Sequence, residues 1–172
     1  MKISLKVISI LVLTLTSQIL VAQDDIPKGS TTYYLIRHAE KDRSDKTNKN
    51  PYLTNKGKLR AKLWATYFKD KPLDAVYSTS YNRTKETATP TAKAHNLEIQ
   101  QYVPNNLYNE AFKLATQGKS TLIVGHSNTT PYFANLILEK DMFKDMADND
   151  NSSLYIVTIK GDKKEVSVIT VE

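Results

Sequence analysis

The 172-residue chain contains no cysteine, so disulfide stabilisation and lipid attachment at a cysteine are both excluded. No internal repeat or low-complexity tract is present, which excludes a repeat array. No apolar run reaches the roughly 20 residues of a membrane span; the longest, from Val7 to Val21, is broken by Ser, Thr and Gln. The formal charge of +6 comes from lysines spread without interleaved aromatic residues, unlike a nucleic-acid-binding stripe. Nucleic acid is therefore not an expected partner.

The first residues, Met1-Lys2-Ile3-Ser4-Leu5-Lys6, precede that apolar run, and the small residue Ala22 follows it. This is the pattern of a secretory signal peptide. We expect a signal over residues 1–23, cleaved after Ala22 or Gln23, a short leader over 24–30, and one domain over 31–172. Loss of Lys2 and Lys6 leaves about +4, a mild bias toward anionic substrates. The reading predicts an exported protein, periplasmic or extracellular, with no stable membrane insertion after cleavage.

Only three histidines are present. Two of them stand one step past apolar runs that read as buried strands, in Leu35-Ile36-Arg37-His38 and Ile123-Val124-Gly125-His126. In an open α/β sheet, side chains beyond the carboxyl ends of parallel strands face a common crevice, so these imidazoles are expected to meet. A third run, Leu73 to Tyr77, ends in Ser78-Thr79-Ser80 and leads into a helix with Arg83 in its first turn. Two guanidiniums and two imidazoles around one crevice make a site for a dianion, because arginine offers a planar donor fork matched to phosphate oxygens. The chemistry indicated is phosphoryl transfer. His95, in a polar stretch ending a helix, is given a surface role.

The rest of the chain alternates in type. Strands are expected at 31–36, 73–77, 97–102 and 120–124, with a terminal hairpin from 154–159 and 166–171. Helices are expected after Thr54, which is placed as an N-cap, from Ser80 or Tyr81 toward His95 with a kink or restart at Pro90, over 106–117, and from Thr130-Pro131 to about Leu138. Residues 41–51 read as a loop over the crevice, and Asp148–Ser152 as a polar turn. The fold class expected is a three-layer α/β/α sandwich whose mostly parallel sheet ends in an antiparallel hairpin.

Four segments, Arg37-His38-Ala39-Glu40-Lys41, Leu53-Thr54-Asn55-Lys56-Gly57, Ser78-Thr79-Ser80-Tyr81-Asn82-Arg83-Thr84-Lys85-Glu86-Thr87-Ala88 and Gly125-His126-Ser127-Asn128, together resemble the histidine phosphatase superfamily, in its phosphoglycerate mutase-like branch. The resemblance implies that His38 attacks a phosphomonoester to give phosphohistidine, with phosphate bound by Arg37, Arg83, His126 and Asn128 and with no metal or cofactor. Adjacent guanidinium charges are expected to keep His38 neutral and nucleophilic. Glu110 is the first candidate for the leaving-group acid and Glu40 the rival. Where the family commonly has glycine, this chain has Ala39, so that position is expected not to need a positive φ.

Only a short segment separates Glu110 from His126, which leaves no room for a large covering insertion and favours water over another acceptor. The substrate expected is a small-molecule or cell-envelope phosphomonoester, with a phosphoprotein as a further candidate. Two other functions fit the same residues: a catalytically silent phosphate-binding module, and a phosphotransferase or mutase. Arg83 has one other expected partner, Glu86, one helical turn on.

Overall fold

In the computed structural model, which describes residues 29–172, strands β1 (Ser30–Arg37), β2 (Ala75–Ser78), β3 (Ile99–Gln101), β4 (Ser120–Gly125), β5 (Ser153–Lys160) and β6 (Lys163–Thr170) form one sheet. Their order is β3-β2-β4-β1-β5-β6. The pairs β3–β2, β2–β4 and β4–β1 are parallel, whereas β1–β5 and the β5–β6 hairpin are antiparallel. This is the expected sandwich. The expected signal peptide lies outside the described residues.

Alternation along β1 explains the layers. Tyr33 and Leu35 point to one core, shared with Phe112 of helix α3 (Glu110–Thr116) and with Phe133 and Ile137 of α4 (Thr129–Leu138). Ile36 points to the other core, shared with Trp64 and Phe68 of α1 (Asn55–Phe68) and with Ala88 and Ala92 of α2 (Asn82–Ala94). A strand with period-two side chains between two apolar helix layers must be hydrophobic on both faces, as this one is. Trp64 and Phe68 are both sealed from solvent, and deleting a core ring of that size typically costs proteins about 3–5 kcal/mol.

Several element ends differ from expectation. Helix α2 begins at Asn82 and continues through Pro90 without a restart. Helix α3 starts at Glu110, later than expected, because the Asn109 side chain caps it by accepting from the Phe112 N–H at 2.9 Å. Helix α4 starts at Thr129, so Pro131 is its third residue, still within the turn whose N–H groups lack helical partners. His95 is tied into the fold through a 3.0 Å contact from Nε2 to the Phe68 carbonyl, which joins the ends of α2 and α1. Its role is architectural, more than the surface role expected.

The site is positioned by the β1–β4 pair. Arg37 lies in register with Gly125, so the next residue of each strand is a histidine, and the His38 N–H donates to the Gly125 carbonyl at 3.0 Å. From this point β1 leads to a helix on one face and β4 to a helix on the other. The crevice opens at the resulting switch point.

Candidate active site

His38 is almost wholly buried, at 4% exposure. Its Nδ1 lies 2.8 Å from the Ala39 carbonyl, and a carbonyl only accepts, so Nδ1 carries the proton. That leaves Nε2 with a free lone pair. The ring stays put because its own carbonyl accepts from Asn151 Nδ2 at 2.8 Å and the following N–H of Ala39 donates to Thr87 Oγ1 at 2.9 Å. Ala39 is buried and is not among the residues with positive φ, so alanine fits without strain, as expected.

The segment after His38 is clamped by the start of α1. Thr54 is the N-cap: Oγ1 accepts from the Gly57 N–H at 3.0 Å and donates to the Glu40 carbonyl at 3.1 Å, while its own N–H donates to that same carbonyl at 2.9 Å. A Cβ on Gly57 would fall 2.3 Å from the Glu40 carbonyl oxygen, so glycine is required by close approach of two backbones. The second histidine is set similarly. A Cβ on Gly125 would fall 2.8 Å from the Tyr102 hydroxyl, which donates to the Val124 carbonyl. The His126 N–H donates to Thr129 Oγ1 at 3.0 Å, and its Nε2 lies 3.1 Å from Thr79 Oγ1. The two imidazole centroids are 5.7 Å apart.

Burial is the largest influence on both rings. It holds His38 down to about 3, against the opposing Ala39 carbonyl, with Arg83, Arg37 and His126 adding to the lowering. Burial likewise holds His126 down to about 4, helped by Arg83, Lys41 and Arg37. The expectation that guanidinium charge helps keep His38 neutral is thus correct in direction, but desolvation leads. A stability consequence follows from the sign. Below the unfolded value of about 6.5, the unfolded chain takes up protons that the folded rings refuse, so stability declines as the pH is lowered, by up to roughly 1.4 kcal/mol per pH unit for each ring. Above about 6.5 neither ring contributes. Urea midpoints should therefore drop between pH 6.5 and 4 more steeply in the wild type than in His38→Gln; parallel slopes would contradict the assignment.

The two arginines differ. Arg37 Nη1 donates to the carbonyls of Ala147, Asp148 and Asp150 at 2.8–2.9 Å, and Nη2 contacts the Asp148 carboxylate at 3.2 Å. Most of its guanidinium pins the 147–150 loop, and Nε remains buried without a partner. Arg83 makes no ion pair with Glu86, which instead accepts from the Leu53 N–H. It stacks on Tyr81, 4.3 Å from the ring centroid, and its Nε and Nη1 are buried and unpaired.

A cavity of about 420 Å³ opens beside His38, lined by Arg37, Glu40, Lys41, Arg43 and Arg60 among others. The structure does not bring Glu110 to it. Glu110 is exposed, pairs with Lys113 at 2.7 Å, and lines a different cavity with Gly29 and Thr31 at the opposite end of β1, because Asn109 starts α3 beside the strand's entrance. Glu40 does line the cavity, but its carboxylate accepts from Arg60 Nε at 2.9 and 3.1 Å and lies 3.6 Å from Lys56. Asn128 is exposed and makes no side-chain capping bond at the start of α4. Sequence reasoning missed Asn151, Thr79 and the 147–150 carbonyls; the polar turn at Asp148–Ser152 was the only signal of the loop.

Residues 33–103 match the family model described as Histidine phosphatase superfamily (branch 1). No curated protein matches the chain. Among solved structures, the putative phosphohistidine phosphatase SixA from Agrobacterium tumefaciens is similar with a TM-score of 0.60 at 21% identity, covering 81% of this chain and 98% of that one. A protein histidine phosphatase SixA complexed with tungstate gives 0.61 at 16%, covering 81% and 96%. Mycobacterial glucosyl-3-phosphoglycerate phosphatase gives 0.62 at 10%, covering 83% and 100%. The fold is that of these small histidine phosphatases.

Proposed function

We propose that this chain, built on the histidine phosphatase fold, is an exported, metal-independent phosphomonoester hydrolase that works through a phosphohistidine at His38. One observation carries the reading: three guanidinium N–H groups, Arg37 Nε, Arg83 Nε and Arg83 Nη1, are buried without partners next to two neutral imidazoles. An unsatisfied buried donor typically costs about 1–3 kcal/mol. A phosphoryl group seated against them would supply the missing acceptors, and the transition state, with charge on its equatorial oxygens, would supply stronger ones. The two imidazoles stand edge to face with centroids 5.7 Å apart, close enough for one phosphoryl group to touch both.

Export rests on the sequence of residues 1–23, and metal independence on the sufficiency of the arginines and histidines for charge stabilisation. Purified protein should hydrolyse p-nitrophenyl phosphate in excess chelator and bind inorganic phosphate competitively. Phosphate binding with no turnover on a broad monoester panel would convert the reading to a silent binding module, and transfer to an added alcohol outrunning hydrolysis would make it a phosphotransferase.

A second reading, phosphohistidine or another phosphoramidate as substrate, is favoured by the same cavity. Both carboxylates lining it, Glu40 and Asp148, are held by arginines, and a protonated imidazole leaves phosphorus without an acid from the enzyme. The resemblance to phosphohistidine phosphatases points the same way. Turnover of a phosphohistidine peptide faster than of any monoester would select this reading.

A further inference from the structure

An alkoxide leaving group needs a proton, and the carboxylates of the cavity are already engaged as acceptors. Five lysine and arginine side chains line that cavity: Arg37, Lys41, Arg43, Lys56 and Arg60. Arg37 and Arg43 contact Asp148, and Lys56 and Arg60 contact Glu40. Among the described residues, Lys41 alone of the five has no carboxylate within 4.0 Å. Its backbone is fixed by an antiparallel bridge to Leu53, and the side chain is half-buried.

Resting on the phosphomonoesterase reading above, we infer that Lys41 is a further catalytic residue, the acid that protonates the departing oxygen. His38 forms the buried floor of the site, so displacement in line with its Nε2 sends the leaving oxygen outward, into the cavity whose wall carries Lys41. As the Nε2–P bond forms and the P–O bond breaks, an Nζ proton passes to the oxygen, the alcohol departs, and Lys41 is left as a neutral amine. In the second step water attacks phosphorus and gives a proton to Nζ. The P–Nε2 bond breaks, releasing phosphate and restoring both the neutral imidazole and the ammonium.

The surroundings suit an ammonium that must release a proton. Burial lowers its pKa first, then the positive charges of Arg83 on α2 and of Arg43, with Asp148 opposing and Arg37 adding. His126 lies within the same field. Lysines tuned downward by burial and like charge serve as acids and bases near neutral pH.

The test compares a good leaving group, p-nitrophenolate, with a poor one, the alkoxide of β-glycerophosphate. Lys41→Met should lose ~10²–10³-fold in kcat on β-glycerophosphate, within the range of general-acid catalysis, and less than tenfold on p-nitrophenyl phosphate. Lys41→Arg should behave like Lys41→Met on the alkyl ester, because a guanidinium keeps the charge but not the releasable proton. The alkaline limb of the wild-type profile on β-glycerophosphate should vanish in both variants. Equal losses on the two substrates, rescue by arginine, or no loss would each overturn the role while leaving the hydrolase reading intact. Wild-type protein inert toward both esters would overturn the hydrolase reading and this one with it.

Discussion

His38→Ala should lower kcat for p-nitrophenyl phosphate by ~10⁴-fold or more, the scale seen when a covalent nucleophile is removed, with the fold retained. Among the side chains lining the cavity, only the His38 ring pairs a donor-fixed Nδ1 with a free Nε2. His126 cannot replace it, since its Nε2 is engaged by Thr79 Oγ1. The remaining arginines would still bind phosphate, so substrate affinity should change far less than turnover. Rapid quenching of the wild type should trap an acid-labile phosphoryl label that the variant never acquires. A variant rate within tenfold of wild type would place the nucleophile elsewhere.

Arg83→Met should lower kcat by ~10²–10³-fold, the usual cost of losing a preorganised donor at a transition-state oxyanion. Its effect on stability should have the opposite sign. Arg83 Nε and Nη1 are buried and unpaired, and burial lowers the guanidinium's pKa, so methionine removes a penalty and the melting temperature should hold or rise. Inorganic phosphate should raise the melting temperature of the wild type by mass action and that of the variant much less. Arg37→Met should behave differently, losing stability along with activity, because Nη1 holds three carbonyls of the 147–150 loop. If Arg83→Met melts well below wild type, its guanidinium is a structural strut and the phosphate assignment fails.

Local patterns were legible where one residue's neighbours in sequence are also its neighbours in space. The apolar runs at Leu35–Ile36 and Ile123–Val124 announced buried parallel strands, and the histidines one step beyond them met as their register requires. Thr54 capped α1 as its spacing indicated. Glu110 failed for the converse reason. A glutamate following a predicted strand and turn satisfies the chemistry of an acid, but the direction in which α3 leaves that turn is a tertiary fact, and it places the carboxylate at the wrong end of β1.

Glycine requirements show the same division. Nothing beside Gly57 in the sequence signals that the Glu40 carbonyl will press against it, nor does the polar turn after Asp148 reveal that its carbonyls gather on Arg37.

By itself, the sequence determined the sandwich, its alternation of strands and helices, and the place of two histidines just past strand ends, because hydrophobic periodicity and side-chain chemistry are properties of short segments. Only the tertiary structure decided which cations are engaged, which N–H groups stay unpaired, and which carboxylates reach the cavity. Those outcomes depend on distances of a few ångströms between loops remote in the chain, and hydrogen bonds and desolvation both change steeply over that range.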